Sequence, residues 1–283
     1  MNLSTKSVVN KVCIVIPVYK AFKALSEKEI ISLKQVFKIL YKYNMIFIGK
    51  DEIVSQYLSF SKSEFPDLKI KTVKFAPSSF GSVSTYNSLL ISKKFYDQFS
   101  AYLYMLIYQL DAYVFKDELD AWCNKKYDYI GAPWFEGWGN SVSHNIIGSG
   151  NGGFSLRNIN SSIRILKRIK TIKKIKNATT KFDSQNRSYF IMILKTFNRF
   201  FKIGEFSLLH EIFLKNINED VYWVNVLGRI FNDFKVAPPE VALNFSFEVN
   251  PSLLFDLTKN SLPFGCHAWE KHEPEFWIDH IKG

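Results

Sequence analysis

The sequence predicts an α/β fold with a mainly parallel sheet flanked by helices, and three observations carry that reading. Apolar runs of strand length alternate with helix-period segments through the first third of the chain. Those runs are nearly continuous, as strands buried on both faces require. The chain has 283 residues, 47% of them hydrophobic and 16% aromatic, enough for a sizeable core and incompatible with a disordered tail or a fibre. No internal repeat or low-complexity linker interrupts it, so one compact domain with a mixed C-terminal part is expected.

Residues 12–18, Val-Cys-Ile-Val-Ile-Pro-Val, form the first strand. Lysines precede this run, but it holds a central proline and no small-residue cleavage site follows, so it does not read as a secretory leader. Residues 26–43 carry the helical period in Ile30, Leu33, Val36, Phe37 and Leu40, with Ser26 and Glu29 at capping-box spacing. A second strand at 45–48, a helix at 52–60 and a third strand at 70–75 follow. Right-handed crossovers then set the loops after these strands along one edge, where nucleotide ligands bind. After a Pro/Ser/Gly loop at 76–84 come a helix at 85–99 and an apolar strand at 102–108. Beyond lie a loop-rich middle at 131–153, a basic helix at 157–181, a helical stretch at 188–200 and a further helix opened by Asn218-Glu219-Asp220.

Lys and Arg total 37 against 26 Asp and Glu, a net charge of +11 that favours an anionic partner. Residues 157–181 hold nine bases and no acid, interleaved with Ile163, Leu166, Ile169, Ile172 and Ile175. Such a basic amphipathic helix serves either as a solvated face or as a contact for anionic lipid headgroups. Charge without a recognised motif or interleaved exposed aromatics gives no reason to expect nucleic acid. No apolar stretch reaches the roughly 18–20 residues that cross a bilayer. Cys13, Cys123 and Cys266 are too few and scattered for a disulfide framework or a CxxC site, so cytoplasmic residence is expected.

Four features carry chemistry. Asp111 emerges from the end of a buried strand, where a carboxylate can bind a hydroxyl, a base or a hard cation, or cap the next turn. Gly150-Asn151-Gly152-Gly153 allows close backbone approach but matches neither GxGxxG nor a P-loop. Glu219-Asp220 stands at a helix start, with Asn218 as candidate cap; the pair serves either as simple N-terminal acids or as a general base with its neighbour. His267 lies in an aromatic, glycine-containing loop, where an imidazole can ligate metal, touch phosphate or simply be hydrogen-bonded.

In their order along the chain, Val15-Ile16-Pro17-Val18-Tyr19, Tyr86-Asn87, Gln109-Leu110-Asp111-Ala112-Tyr113-Val114-Phe115, Tyr127-Asp128-Tyr129-Ile130-Gly131-Ala132-Pro133-Trp134, Gly150-Asn151-Gly152-Gly153-Phe154-Ser155-Leu156-Arg157, Glu219-Asp220-Val221-Tyr222-Trp223 and Phe264-Gly265-Cys266-His267-Ala268-Trp269 resemble nucleotide-sugar glycosyltransferases of the GT-A architecture. The likeness is greatest to an uncharacterised bacterial and fungal glycosyltransferase-like domain family. It implies a GT-A-like, Rossmann-like mixed sheet, with a nucleotide-sugar-binding half at about 10–115 and an acceptor-binding, catalytic half at about 116–283. It implies donor binding by Pro17, Val18, Tyr19, Tyr86, Asn87, Asp111, Ala112 and Tyr113. A divalent cation, Mn²⁺ or Mg²⁺, would be held by Asp111 and His267. Tyr113 replaces the second acid of the DxD motif, a departure that bears on metal dependence. Asp220 would be the general base of an inverting transfer, and Glu219 its neighbour or acceptor clamp. Trp134, Asn151, Gly152, Gly153, Phe154 and Trp223 would line the sugar and acceptor site, with Trp138 a further stacking candidate. The expected acceptor is a saccharide or lipid-linked saccharide of bacterial surface-polysaccharide synthesis, reached at the inner face of the cell membrane. The alternative is a catalytically inactive module that binds nucleotide or carbohydrate.

Overall fold

The computed structural model describes residues 10–137, 143–179 and 186–282; Trp138 and Lys181 lie outside the described residues. The first strand, β1 (Asn10–Val18), leads through α1 (Glu27–Ile39) to β2 (Asn44–Gly49), then through α2 (Asp51–Glu64) to β3 (Ile70–Lys74). The capping box closes as its spacing implies: the Glu29 amide donates to Ser26 Oγ and the Ser26 amide to Glu29 Oε2. Two short helices, α3 (Val83–Leu90) and α4 (Lys93–Asp97), precede β4 (Tyr102–Tyr108). One helix was expected over 85–99. The chain breaks at Ile91, because Ser92 caps a new start by accepting from the Phe95 amide.

The strands β1, β2, β3 and β4 pair in parallel in the order β3-β2-β1-β4, the mainly parallel, helix-flanked sheet the sequence predicts. After β5 (Ala112–Val114), α5 (Leu119–Asn124), β6 (Tyr129–Ile130), β7 (Pro133–Phe135) and β8 (Ile146–Ser149), the strand β9 (Phe154–Asn158) returns antiparallel to β4, and β6 completes the sheet. The loop-rich middle thus contains a small antiparallel pair, β7 with β8. Late strands β10 (Ser246–Phe247) and β11 (Gly265–His267) join β5 in a separate three-stranded sheet.

The basic helix starts later than expected. It is α6 (Ile159–Thr179), opened by Asn158, whose Oδ1 accepts from the Ser161 amide. Arg157 belongs to β9 and is fully buried, while α6 turns Ile165, Leu166, Ile169 and Ile172 into the core. Further on, Glu219–Val221 continues without a break into a π-helical stretch, Tyr222–Leu227, and then Gly228–Ile230. Such wide turns are rare and recur near functional sites.

Candidate functional site

A cleft of about 560 Å³ opens where the parallel strands end, a volume in the range of small-molecule sites. Tyr19 enters it from the end of β1, Phe80, Gly81, Ser82, Val83, Tyr86 and Asn87 from the segment after β3, and Gln109 from the end of β4. Asn151, Gly152 and Gly153 reach it because antiparallel pairing sets Phe154 opposite Tyr108, and the Gln109 amide donates to the Gly153 carbonyl. The later chain contributes Asn218, Glu219, Asp220, Glu248 and His267.

Register brings Asp111 and His267 together across 156 residues. The antiparallel pairing of β5 with β11 places His267 opposite Ala112, next to Asp111. The turn before β5 is fixed from below by the buried Tyr108 hydroxyl, which donates to the carbonyl of Ser32 or Ala112, and by Ser32 Oγ, which donates to the Ala112 carbonyl. His267 Nε2 stands 3.2 Å from Asp111 Oδ1, an ion-pair distance at which neither atom completes a hydrogen bond. On the other side of the ring, Nδ1 is 2.9 Å from Glu248 Oε1. Burial opposes charge on this imidazole, but the two flanking carboxylates outweigh it and raise His267 to about 10. Burial likewise opposes ionisation of Asp111, and the His267 charge reverses the balance, holding Asp111 below its ordinary value.

A second acid cluster lies on the other side of Asn151. Glu219 makes a two-pronged contact with Arg157: Nη2 donates to Oε1 at 2.7 Å and Nη1 to Oε2 at 2.9 Å. Both side chains are removed from solvent, and Ser155 Oγ takes two further guanidinium hydrogen bonds at 3.0 Å. Against the burial that disfavours its charge, the Glu219 carboxylate holds Arg157 well above its ordinary value. Asp220 next door makes no ion pair among the described residues. Its Oδ1 accepts from the Val221 amide at 2.8 Å, and burial followed by the Glu248 charge raises its carboxyl.

The glycines fit these two clusters. A Cβ on Gly152 would stand 2.8 Å from Glu219 Oε1, and one on Gly153 would overlap the His267 ring. The close approach is therefore to the protein's own acid and imidazole. Asn151 is 2% exposed and fully engaged: Oδ1 accepts from the Gly153 and Phe154 amides, and Nδ2 donates to Glu248 Oε2 at 2.7 Å. It lines the cleft as a brace between the strand and the imidazole cluster.

Of the residues singled out in the sequence, Tyr19, Tyr86, Asn87, Asn151, Gly152, Gly153, Glu219, Asp220 and His267 line this cleft, and Asp111 adjoins it through His267. Others do not reach it. Pro17 and Val18 are buried, and with Tyr19 border a separate narrow crevice. Ala112 is buried under α1, and Tyr113 alternates to the opposite side of β5, where it packs on Phe115. The expected stacking faces are core aromatics. Trp223 lies between Tyr96 and Phe234 and donates its Nε1–H to the Leu90 carbonyl; Phe154 packs on Tyr108, Phe245 and Phe264; Trp134 covers Gly150. Glu219 has both oxygens committed to Arg157, and burial raises its carboxyl to about 7. Asn218 does not cap its helix; its Oδ1 accepts from Asn87 Nδ2 instead.

The sequence reading missed Glu248 and Phe80, and it took Arg157 for the start of a helix. No local pattern marked Glu248. The fact that Arg157 follows Phe154-Ser155-Leu156, a strand-like run, is the one signal that could have separated it from the basic helix.

Several solved structures are similar to this chain. The apo form of the glycosyltransferase GlyE of Streptococcus pneumoniae TIGR4 aligns with 14% identity over 92% of this chain and 54% of its own, with a TM-score of 0.46. The chain thus spans about half the length of the pneumococcal protein. An active-site mutant of LgtC aligns with 14% identity over 96% and 91% of the two chains, TM-score 0.48. Mouse xyloside xylosyltransferase 1 aligns with 9% identity over 91% and 97%, TM-score 0.47. No curated protein matches the sequence. Residues 69–267 match the model of a family described as a protein of unknown function, DUF5672, and with well over half of its length matched the chain belongs to that family.

Proposed function

We propose that this chain is a GT-A-type glycosyltransferase, moving a sugar from a nucleoside diphosphate donor to an acceptor hydroxyl, with Asp220 as the general base of an inverting transfer. The observation that carries the reading is the state of the cleft acids. Glu219 is tied to Arg157 and Glu248 to His267 and Asn151, which leaves Asp220 as the described cleft acid with no cationic partner. A base needs such a carboxylate, ionised and within hydrogen-bond reach of the hydroxyl it deprotonates.

The donor would enter from the first half of the chain, residues 10–115, and the acceptor from the second, residues 116–283. Tyr19 offers a half-exposed ring at the end of β1 for the base or ribose. The hydroxyl of Tyr86 is buried and without a hydrogen-bond partner, and it would be satisfied by a donor oxygen. Among the described residues no group of three or more His, Cys, Asp or Glu could hold a metal ion. Asp111 Oδ1 and His267 Nε2, which share no hydrogen bond, would suit a hard cation that displaces the imidazole proton and takes its other ligands from phosphate oxygens and water. The carboxylate of Glu248 behind Nδ1 would orient the ring for that role. Mn²⁺ or Mg²⁺ held there would neutralise the charge developing on the leaving diphosphate. The chain's own part is to hold that end of the donor through Asp111 and His267, and to draw the acceptor proton onto Asp220. The acceptor is a saccharide or lipid-linked saccharide, in keeping with bacterial surface-polysaccharide synthesis.

Release of nucleoside diphosphate from a panel of nucleotide sugars, with and without Mn²⁺, tests the assignment. Asp111→Ala should bind nucleoside diphosphate less tightly than the parent; equal affinity ends the donor-site reading. Binding by the parent without any turnover would favour the second reading, an inactive module, which the single acid of Asp111-Ala112-Tyr113 supports.

A further inference from the structure

Large apolar side chains are exposed singly over most of the described surface, as on any soluble protein. The stretch from Tyr189 to Phe200 is different. Tyr189 is 53% exposed, Met192 52%, Phe197 58% and Phe200 80%, all on or between two consecutive helices, Asn186–Thr196 and Asn198–Phe201. These helices already bury an inner stripe of Phe190, Leu194 and Phe201. The outer apolar residues are additional to what core packing needs.

Charge says what could cover them. Residues 186–204 contain Arg187, Lys195, Arg199 and Lys202 and no acid. Lys195, Arg199 and Lys202 are exposed between the aromatic residues. The neighbouring α6 adds exposed Lys167, Lys170 and Lys174, but its large apolar residues are buried or packed against the core, so it supplies charge without anything to insert. A purely apolar face would suit a second copy of the chain; aromatics set among bases that make no ion pair among the described residues suit a surface that is anionic and has an apolar layer beneath.

We propose that the outer face of residues 189–202 docks on an anionic lipid bilayer, with Phe197 and Phe200 seated below the headgroups and Lys195, Arg199 and Lys202 meeting lipid phosphates. The arrangement is that of an interfacial helix: apolar area and positive charge act together, and neither suffices alone. Docking here is independent of what the cleft does.

Co-sedimentation with phosphatidylcholine vesicles, with and without phosphatidylglycerol, tests it on the full chain. The parent should sediment with the anionic vesicles and stay free of the neutral ones. Phe197→Ser with Phe200→Ser should weaken anionic binding by about tenfold or more, and Lys195→Glu with Arg199→Glu by a similar factor. Both should leave thermal unfolding unchanged, since the replaced side chains are exposed. Equal binding to neutral vesicles, no binding to either, or full binding by both variants overturns the proposal. So does loss of binding only on charge reversal of Lys170 and Lys174, which would assign the contact to α6. A parent that dimerises through Phe200 and ignores vesicles would assign the face to a second copy.

Discussion

In one acid cluster of the cleft, Asp111 and Glu248 both face the imidazole of His267; in the other, Glu219 pairs with Arg157 while Asp220 makes no ion pair among the described residues. The first cluster is balanced by a group whose charge can change, the second by a guanidinium that stays charged and whose donors go to Glu219 and Ser155. Adjacent residues on one helical turn therefore have opposite roles. Glu219 fixes the turn to β9, and Asp220 is held there with a backbone amide but no ion-pair partner among the described residues. Burying a carboxylate in this way costs stability, a cost expected where function needs the group.

The sharpest way to break the contrast is Asp220→Asn. Turnover should fall by about 100-fold or more, the usual contribution of a positioned general base, with nucleotide affinity retained. A loss of only a few-fold, read in the nucleotide-release assay, would remove Asp220 from the chemistry and leave the two clusters without a functional distinction.

Glu219→Gln acts on the other half of the pair. It strands a buried guanidinium and should cost about 3–5 kcal/mol in urea unfolding. Replacing both partners with apolar residues, Arg157→Met with Glu219→Leu, should recover most of that loss, because a buried pair exchanged for well-packed apolar side chains is often near neutral. Equal instability of the single and double variants would mean that the contact contributes shape rather than charge.

Gly153→Ala probes the imidazole cluster. The new methyl overlaps the His267 ring, which Glu248 and β11 hold in place, so an overpacking cost of about 1–3 kcal/mol and weaker donor binding are expected. Gly81→Ala is the control. Its Cβ would meet only the Ser78 carbonyl at 3.4 Å, and the change should fall within about 0.5 kcal/mol of the parent.

How legible all this was in the sequence follows from the range of the interactions. β1 to β4 and the Ser26 capping box are local patterns, and periodicity alone places them to within a few residues. Asp111 and the glycine tract were visible as residues of interest, but the contact of Asp111 with His267 depends on the register of β5 with β11, which no local pattern encodes. Arg157 shows the same limit in a different form. A run of bases gives no sign of where strand ends and helix begins, so a buried strand residue was counted with a solvated face. Aromatic residues misled for a related reason. Trp134, Phe154 and Trp223 have the chemistry of a sugar platform and the burial of a core, and only packing tells the two apart.

The smallest effect concerns pH. Asp220 has a raised carboxyl, through burial first and the Glu248 charge next. Between the ordinary carboxylate range and that raised value, the folded protein binds a proton that the unfolded chain has released. Stability therefore falls as pH rises through this window, and the loss persists above it. Asp220→Asn removes this proton linkage. The variant should be more stable than its parent at neutral pH, and the difference should vanish once the pH drops below about 4, where an unfolded-state aspartate is also protonated. Paired urea titrations across that range would show it. A variant that is no more stable at neutral pH would mean that Asp220 is compensated in the folded state, and that the two clusters differ less in charge than their contacts imply.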